Sequence, residues 1–359
     1  MVRLDEMNIN VNKQIEEDCL SSLKLQIGLV EQLKGQSITV IGGTGFIGTW
    51  IAELVAIIND TFDGNITLEL LGRSTSLWAS KHPHLCRDDI ILRVQDVRSP
   101  FSIREDTTLV IYAAAIADPS IHASDPYKVY QTNVGGIENA LHAASRLPRI
   151  ARFLNISSGL AVAGSTTEAI SERNIGILDY TRIQNMYAQS RRTAESLACI
   201  FAAQFRIPVI TARAFTFIGP YQSVDAPWAI NNFIRDTING NDIRIRGDGS
   251  TRRSYLYGSD AAVWLLKIAV AGKNGDIYNV GGEEAISHSE VAHALVKLCK
   301  KNPDIVFTGK SASVDRKYDF FPDLSYGKSS LNLKQAFNMK LSLERSMLWH
   351  SKNILSQKG

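Results

Sequence analysis

A chain of 359 residues with 45% hydrophobic and 21% charged side chains has the composition of a globular protein of one large or two closely joined domains. A formal net charge of +3 without any dense Lys/Arg run argues against a nucleic-acid partner. No apolar run approaches the ~20 residues that span a bilayer, no basic and apolar leader opens the chain, and the 4 cysteines and the histidines have no metal-ligand spacing, so a cytoplasmic protein without a metal site or a membrane association is expected.

Residues 1–35 form an extension whose apolar residues recur at helical spacing over 15–33, which predicts a helix packed on the domain or on a partner subunit. Ser37–Ile41 is a β-branched run with the length of a buried strand. The loop Gly42-Gly43-Thr44-Gly45-Phe46-Ile47-Gly48 follows, and 49–58 reads as a helix covering a sheet. Strand, glycine turn and helix together make the first part of a dinucleotide-binding unit, against the plainer reading of a glycine-rich loop. Gly42 would allow the tight turn, Gly45 the approach of a pyrophosphate, and Gly48 the close packing of helix on strand. The helix N-terminus, from Phe46 and Ile47, offers N–H groups and a positive dipole end to phosphates.

The second strand, 66–71, ends at Gly72-Arg73-Ser74-Thr75. An acid there would accept from the ribose 2′-OH of NAD, whereas Arg suits the 2′-phosphate of NADP. Arg73, with Ser74, therefore predicts NADP, with NAD the alternative and a solvated surface Arg the competing reading. Ile90–Val94 is the third strand, and 108–115 is the fourth with its exit, where Ala113, Ala114 and Ala115 are small enough to let a cofactor lie close. A long helix is expected over 125–144, a strand over 152–159, a helix over 186–204 and a sixth strand over 207–213. Beyond Tyr221 helices are expected over 231–238, 260–270, 287–300 and 342–351, an edge strand over 242–246, and a strand and turn over 277–282.

The Gly-x-x-Gly-x-x-Gly spacing, with Thr44 and Phe46-Ile47 inside it, resembles the extended branch of the short-chain dehydrogenase/reductase superfamily. Ala113-Ala114-Ala115, Ser157-Ser158, Tyr187, residues 213–220 and 247–257, Tyr278-Asn279-Val280-Gly281 and Phe321-Pro322-Asp323 follow in family order. Over residues 36–350 the chain is thus similar to NAD(P)-dependent epimerases and dehydratases, which mostly act on nucleotide-diphosphate sugars. The resemblance implies an α/β fold: a Rossmann-type doubly wound parallel sheet over 36–220 and a smaller C-terminal α/β substrate-binding region over 221–359, some of whose elements return to the first domain. It also implies a homodimer paired through helices such as 125–144 and 186–204.

The same resemblance assigns the site. Asp96 and Val97 would flank the adenine, and Asn133, at the family's Asn-x-x-Gly position, would be a further cofactor-binding residue. The family's catalytic set is Ser or Thr with Tyr-x-x-x-Lys, in which the Lys charge favours the tyrosinate and holds the nicotinamide ribose. Here Tyr187 is present, and Arg191 stands where Lys is expected. Arg keeps the charge in a longer, planar group. Ser158 fits the serine position by direct alignment, and an ordinary strand-end serine pair is the competing reading. An alignment on Gly164 would instead place Gly159 there and Ala163 at the family's neighbouring Tyr. Thr216 stands where the family often has Asn, Asn232 is a further substrate-binding candidate, and Arg253, with Arg252 beside it, matches the arginine that clamps the substrate pyrophosphate. The expected function is a nucleotide-sugar epimerase or 4-ketoreductase with Tyr187 as acid/base. A 4,6-dehydratase ranks below it because Gly159-Leu160 stands where dehydratases carry an acid pair. A non-catalytic cofactor-binding protein is the remaining alternative.

Overall fold

The structure, a computed structural model, describes residues 11–162, 168–299, 301–308 and 319–356. At its centre lies a 7-stranded sheet whose every pairing is parallel. Its strands are β1 (Ser37–Ile41), β2 (Thr67–Gly72), β3 (Ile90–Val94), β4 (Leu109–Tyr112), β5 (Arg152–Ser158), β6 (Val209–Ala214) and a last strand, Ile277–Val280. The order across the sheet is β3-β2-β1-β4-β5-β6 and then Ile277–Val280. Val40 of β1 pairs with Leu70 on one side and Ile111 on the other. The strand order reverses between β1 and β4, and a ligand crevice opens at the carboxyl ends of strands at such a switch.

Most positions along these strands are apolar because helices cover both faces, with Glu69, Arg93, Asn155 and Arg213 among the polar exceptions. Along β4, Leu109 and Ile111 belong to one core with the helices Phe46–Phe62 and Gly258–Ala271. Val110 and Tyr112 belong to a second core with Gly136–Ala144 and Met186–Phe205. The fold is the expected doubly wound, Rossmann-type α/β sheet. Outside the main sheet, Thr216–Ile218 pairs with Tyr255–Tyr257, Arg252–Arg253 with Ile286–Ser287, and Ile243–Arg246 with Ile305–Thr308. Residues 243–246 alternate buried and exposed, as their sequence predicts for an edge strand.

Several boundaries differ from the sequence expectation for local reasons. The single helix expected over 15–33 is two, Val11–Lys24 and Leu29–Leu33, divided at Gly28, whose φ of 79° breaks the helix. The helix after the glycine loop starts earlier, at Phe46, and runs to Phe62. The 125–144 helix is capped by Asp125, whose carboxylate accepts from Lys128 N, and begins with Pro126. It then widens into a π turn at Gln131–Gly135 before resuming at Gly136. The 287–300 helix is His288–Leu298, closed by a Ser287–Glu290 capping box, and Lys300 lies outside the described residues. The terminal helix is Met339–Ser356.

The N-terminal helix packs on its own chain through buried polar groups. Asp18 is fully buried; the Tyr257 hydroxyl donates to its Oδ2 at 2.7 Å, and Arg345 Nε lies 2.5 Å from its Oδ1. One turn on, Ser22 donates to Asp260 Oδ1 at 2.7 Å, and Asp260 also accepts from the Ala336 and Phe337 N–H groups. These contacts bind the first helix, the Gly258–Ala271 helix and the C-terminal segment together. Burial outweighs the Arg345 charge and pushes the Asp18 carboxyl up to about 7. The folded state therefore holds this proton to higher pH than the unfolded chain. The Asp18 contribution to stability is full below the ordinary carboxylate range and is lost as pH rises through about 7. Urea denaturation across this range should show a decline with pH that Asp18→Asn flattens. At neutral pH Asp18→Ala should cost about 3 kcal/mol, because Arg345 and the Tyr257 hydroxyl lose their buried partner.

Candidate active site

Packing of β1 against β4 dictates the glycine loop. Gly42 has φ of 84°, and a Cβ there would lie 2.6 Å from the Ala114 backbone N and Cα. A Cβ on Gly48 would lie 2.1 Å from the Gly43 carbonyl oxygen. Gly45 is different: it is exposed, and a Cβ would meet only the Gly42 oxygen at 3.4 Å. The protein itself leaves room there for a side chain, so a glycine at this place suits close approach by something else. Gly45 is also the N-cap of the Phe46–Phe62 helix, which begins with Phe46, Ile47 and Gly48 and has no side-chain cap on its first-turn N–H groups. Ala113, Ala114 and Ala115 continue from β4 beside this loop, with Ala114 buried and Ala115 exposed.

Arg73 and Ser74 lie exposed just past β2, and the Ser74 hydroxyl caps no N–H of the helix it precedes. Asp96, past β3, is held by the Arg98 guanidinium, Nη2 at 2.6 Å and Nε at 3.0 Å. These bonds, with the charge of Arg73 added, pull the Asp96 carboxyl down to about 2. Arg98 thus holds this carboxylate directly, and Arg73 adds positive charge in its surroundings. Arg98 has no signal in the sequence beyond its place after the Asp96-Val97 pair. Val97 turns inward and packs in the core with Tyr112.

Asn133 sits fully buried in the π turn. Its Nδ2 donates to Ser190 Oγ at 2.9 Å, Ser190 Oγ donates to the Tyr187 carbonyl at 2.7 Å, and Asn133 Oδ1 is buried without a partner. At the end of β5 the two serines part ways. Ser157 Oγ donates to Glu195 Oε1 at 2.6 Å, whereas Ser158 Oγ accepts from Leu160 N at 3.2 Å and caps the short turn Gly159–Ala161. A Cβ at Gly159 would run into the Phe215 ring at 2.5 Å, so packing demands glycine there. Ala163 and Gly164, on which the alternative alignment turned, lie outside the described residues.

Tyr187 and Arg191 share one face of the Met186–Phe205 helix, a turn apart. Both are buried. Arg191 Nε donates to the Tyr187 hydroxyl at 3.3 Å, Nη1 donates to the Ile156 carbonyl of β5 at 3.3 Å, and Cζ lies 5.3 Å from the Tyr187 ring centre. The helix pair and the β5 end are thereby joined. Glu195, a turn further, pairs with Arg213 of β6 at 2.7 Å. This buried pair was not singled out from sequence, although an arginine inside an apolar strand is the signal that could have found it.

The substrate candidates are spread over the C-terminal region. Thr216 opens the strand after β6, Asn232 is half-buried on the Ala229–Asn239 helix, and Arg253 is half-buried beside the Ile286–Ser287 strand. Arg253 Nη1 donates to the Arg252 carbonyl at 2.9 Å and its Cζ lies 5.8 Å from the Phe320 ring. Arg252 is paired with buried Asp319 at 2.9 Å. Among the described residues no group of His, Cys, Asp and Glu is placed to hold a metal ion, and no helix is long and apolar enough to cross a membrane.

Known proteins resemble this chain along most of its length. A UDP-glucuronic acid decarboxylase of Arabidopsis thaliana is 25% identical over 89% of this chain and 71% of its own. A UDP-N-acetyl-alpha-D-glucosaminuronate decarboxylase of Bacillus cytotoxicus is 26% identical over 86% of this chain and 94% of its own. Among solved structures, an epimerase of Methanothermobacter thermautotrophicus superposes with a TM-score of 0.80 at 21% identity, covering 93% of this chain and 98% of that one. The UDP-glucuronic acid 4-epimerase of Bacillus cereus in complex with NAD gives a TM-score of 0.74 at 21% identity, covering 89% and 99%. The model of the NAD dependent epimerase/dehydratase family matches residues 38–281. With its glycine loop, parallel sheet and Tyr–Arg pair inside that match, the chain belongs to the NAD-dependent epimerase/dehydratase family of enzymes.

Proposed function

We propose that the protein is a nucleotide-sugar epimerase or 4-ketoreductase that moves a hydride at a sugar carbon, C4, with Tyr187 as acid/base. The observation that carries this reading is the buried Tyr187 hydroxyl held by the Arg191 guanidinium beside the carboxyl end of β5. Relatives named for work on UDP-sugars support a uridine diphosphate sugar as substrate. Residues 36–220 bind the cofactor in this reading, and 221–359 form the substrate side. The nicotinamide cofactor, when bound, supplies the hydride acceptor and donor. The open space over Gly45 and the uncapped first turn after it fit its pyrophosphate. Arg73, with Ser74, takes the 2′-phosphate of NADP. Asp96 and the backbone of Val97, whose side chain is turned into the core, border the adenine, while Asn133 lies on the cofactor side and supports the start of the helix that carries Tyr187.

In the chemical step Tyr187 accepts the proton of the sugar hydroxyl, and Arg191 stabilises the phenolate with a fixed charge. Ser158 donates a hydrogen bond to the carbonyl oxygen that forms. Arg253 holds the substrate pyrophosphate, with Thr216 and Asn232 lining the sugar-nucleotide path. The four unbonded cysteines suit a cytoplasmic protein. Exposed Tyr127, Tyr130, Ile200 and Phe205 on the helices at 126–144 and 186–205 suit a homodimer paired there.

Three measurements test the reading. Tyr187→Phe should lower turnover of UDP-glucose or UDP-glucuronic acid by about 100-fold or more with cofactor binding nearly intact. In the same assay Arg191→Lys should retain or raise turnover, and Arg191→Met should lose activity and some cofactor affinity. Turnover of Tyr187→Phe at the parent rate would remove this residue from the chemistry. Binding of cofactor by a parent that turns over no sugar nucleotide would point to the non-catalytic role.

NADP(H) should bind about tenfold more tightly than NAD(H), the ratio expected from one charge-assisted phosphate contact, and Arg73→Ala should abolish that preference. Calorimetric titration of both cofactors checks this, and equal affinities in the parent would contradict it.

Incubation with UDP-glucose should yield no 4-keto-6-deoxy sugar, because Gly159, Leu160 and Ala161 after Ser158 cannot transfer a proton for elimination. Accumulation of that product in mass spectra would show that an acid from another segment reaches the site.

A further inference from the structure

We propose that His122 is a positioning residue for Tyr187, fixing the plane of the phenol ring so that its hydroxyl meets both Arg191 and the substrate. His122 lies on the short helix Pro119–Ser124 beyond the exit of β4. Its imidazole stacks on the Tyr187 ring with centroids 4.4 Å apart and planes 16° from parallel. The imidazole is anchored in turn, with Nε2 at 2.7 Å from the Ile116 carbonyl oxygen. A carbonyl only accepts, so Nε2 carries a proton in either charge state. Ile116, Val129 and Tyr187 form a small buried cluster, against which Ile121 and Leu160 pack.

The need for such a clamp follows from the arginine. Conjugation keeps a phenol O–H and its in-plane lone pair in the plane of the ring. Rotation about χ2 of Tyr is soft, and it redirects that lone pair. A lysine ammonium carries rotatable donors and would follow such a tilt, whereas the guanidinium presents donors in a rigid fork. Arg191 is further tied to Ile156, so its Nε–H reaches the Tyr187 oxygen along one direction. The ring plane must then be set by something else, and the stacked His122 sets it. Tyr187 is thus held at its hydroxyl by one residue and on its face by another.

The inference rests on Tyr187 being the acid/base proposed above. His122→Ala should lower kcat by about 100-fold, the scale of an ångström-sized misplacement, with KM for the UDP-sugar and cofactor affinity unchanged. His122→Phe keeps a ring on the Tyr187 face and should restore most of the turnover. His122→Gln, which can keep a hydrogen bond to Ile116 without a ring, should resemble the alanine variant. Parent-like kcat in His122→Ala, or no recovery in His122→Phe, overturns the proposal. Ring-13C tyrosine NMR gives a reading independent of turnover, with Tyr187→Phe identifying the signal. The Tyr187 ring resonances should lose their ring-current shift and broaden in His122→Ala while staying near the parent position in His122→Phe. Resonances indifferent to His122→Ala overturn the proposal whatever the activity. A restrained ring in a parent that turns over no sugar nucleotide supports the positioning and refutes the acid/base reading instead.

Discussion

The carboxylate of Glu195 is the tie on which the site's geometry depends. One oxygen accepts from Ser157 Oγ at 2.6 Å and from Arg213 Nε at 3.0 Å, and the other from Arg213 Nη2 at 2.7 Å. Arg213 also donates to the Glu172 carbonyl at 2.8 Å. A single buried ion pair therefore joins β5, β6, the Met186–Phe205 helix and the segment that follows the β5 turn. Such a pair adds little net stability over a well-packed apolar substitute, because both ions lose water. Its effect is geometric. It sets how the helix carrying Tyr187 and Arg191 lies against the strand that ends in Ser158, and it engages the Ser157 hydroxyl while Ser158 caps the turn that follows.

The rest of the site follows from close backbone packing and fixed charge. β1 and β4 approach so closely that Gly42 has no room for a side chain beside Ala114. The crevice edge near Arg73 and Arg98 is rich in positive charge, and the Arg98 guanidinium holds the Asp96 carboxyl well below the usual carboxylate range. Arg191 adds a buried cation at the β5 end, where Ile156 supplies a carbonyl. The Asn133 π turn is one residue wider per turn than its flanking helix, and departures of this kind collect at functional sites. Here it aims a buried amide at Ser190 and leaves the amide oxygen without a partner.

The far side of the molecule shows the same economy with different groups. Asp18 and Asp260 are each buried with several donors, and they fasten the first helix to the Gly258–Ala271 helix and to the terminal segment. The described part of the extension before β1, from Val11 on, thus packs into this chain's own core, with Ile15, Cys19 and Leu23 buried in it.

Local physics made much of this protein legible from its residues. Runs of strand length rich in β-branched and aliphatic residues marked β1 and β3 to the residue, since that signal lies in neighbours along the chain and needs no partner information. The glycine spacing marked the turn, and Tyr187 with Arg191 four positions on placed a phenol and a cation on one helical face. What joins segments distant in the chain was not legible. Asp18 meets Tyr257 across 239 positions of sequence, and no local pattern announces that contact. The same holds for Glu195 with Arg213 and for the stacking of His122 on Tyr187. The sequence by itself determined the periodicities, the turn chemistry and the order of the motifs, because those depend on neighbours along the chain. Only the tertiary structure decided which serine is bound to Glu195, which arginine is tied to which acid, and what stacks on the Tyr187 ring, because those depend on how strands and helices pack at distances of a few ångströms.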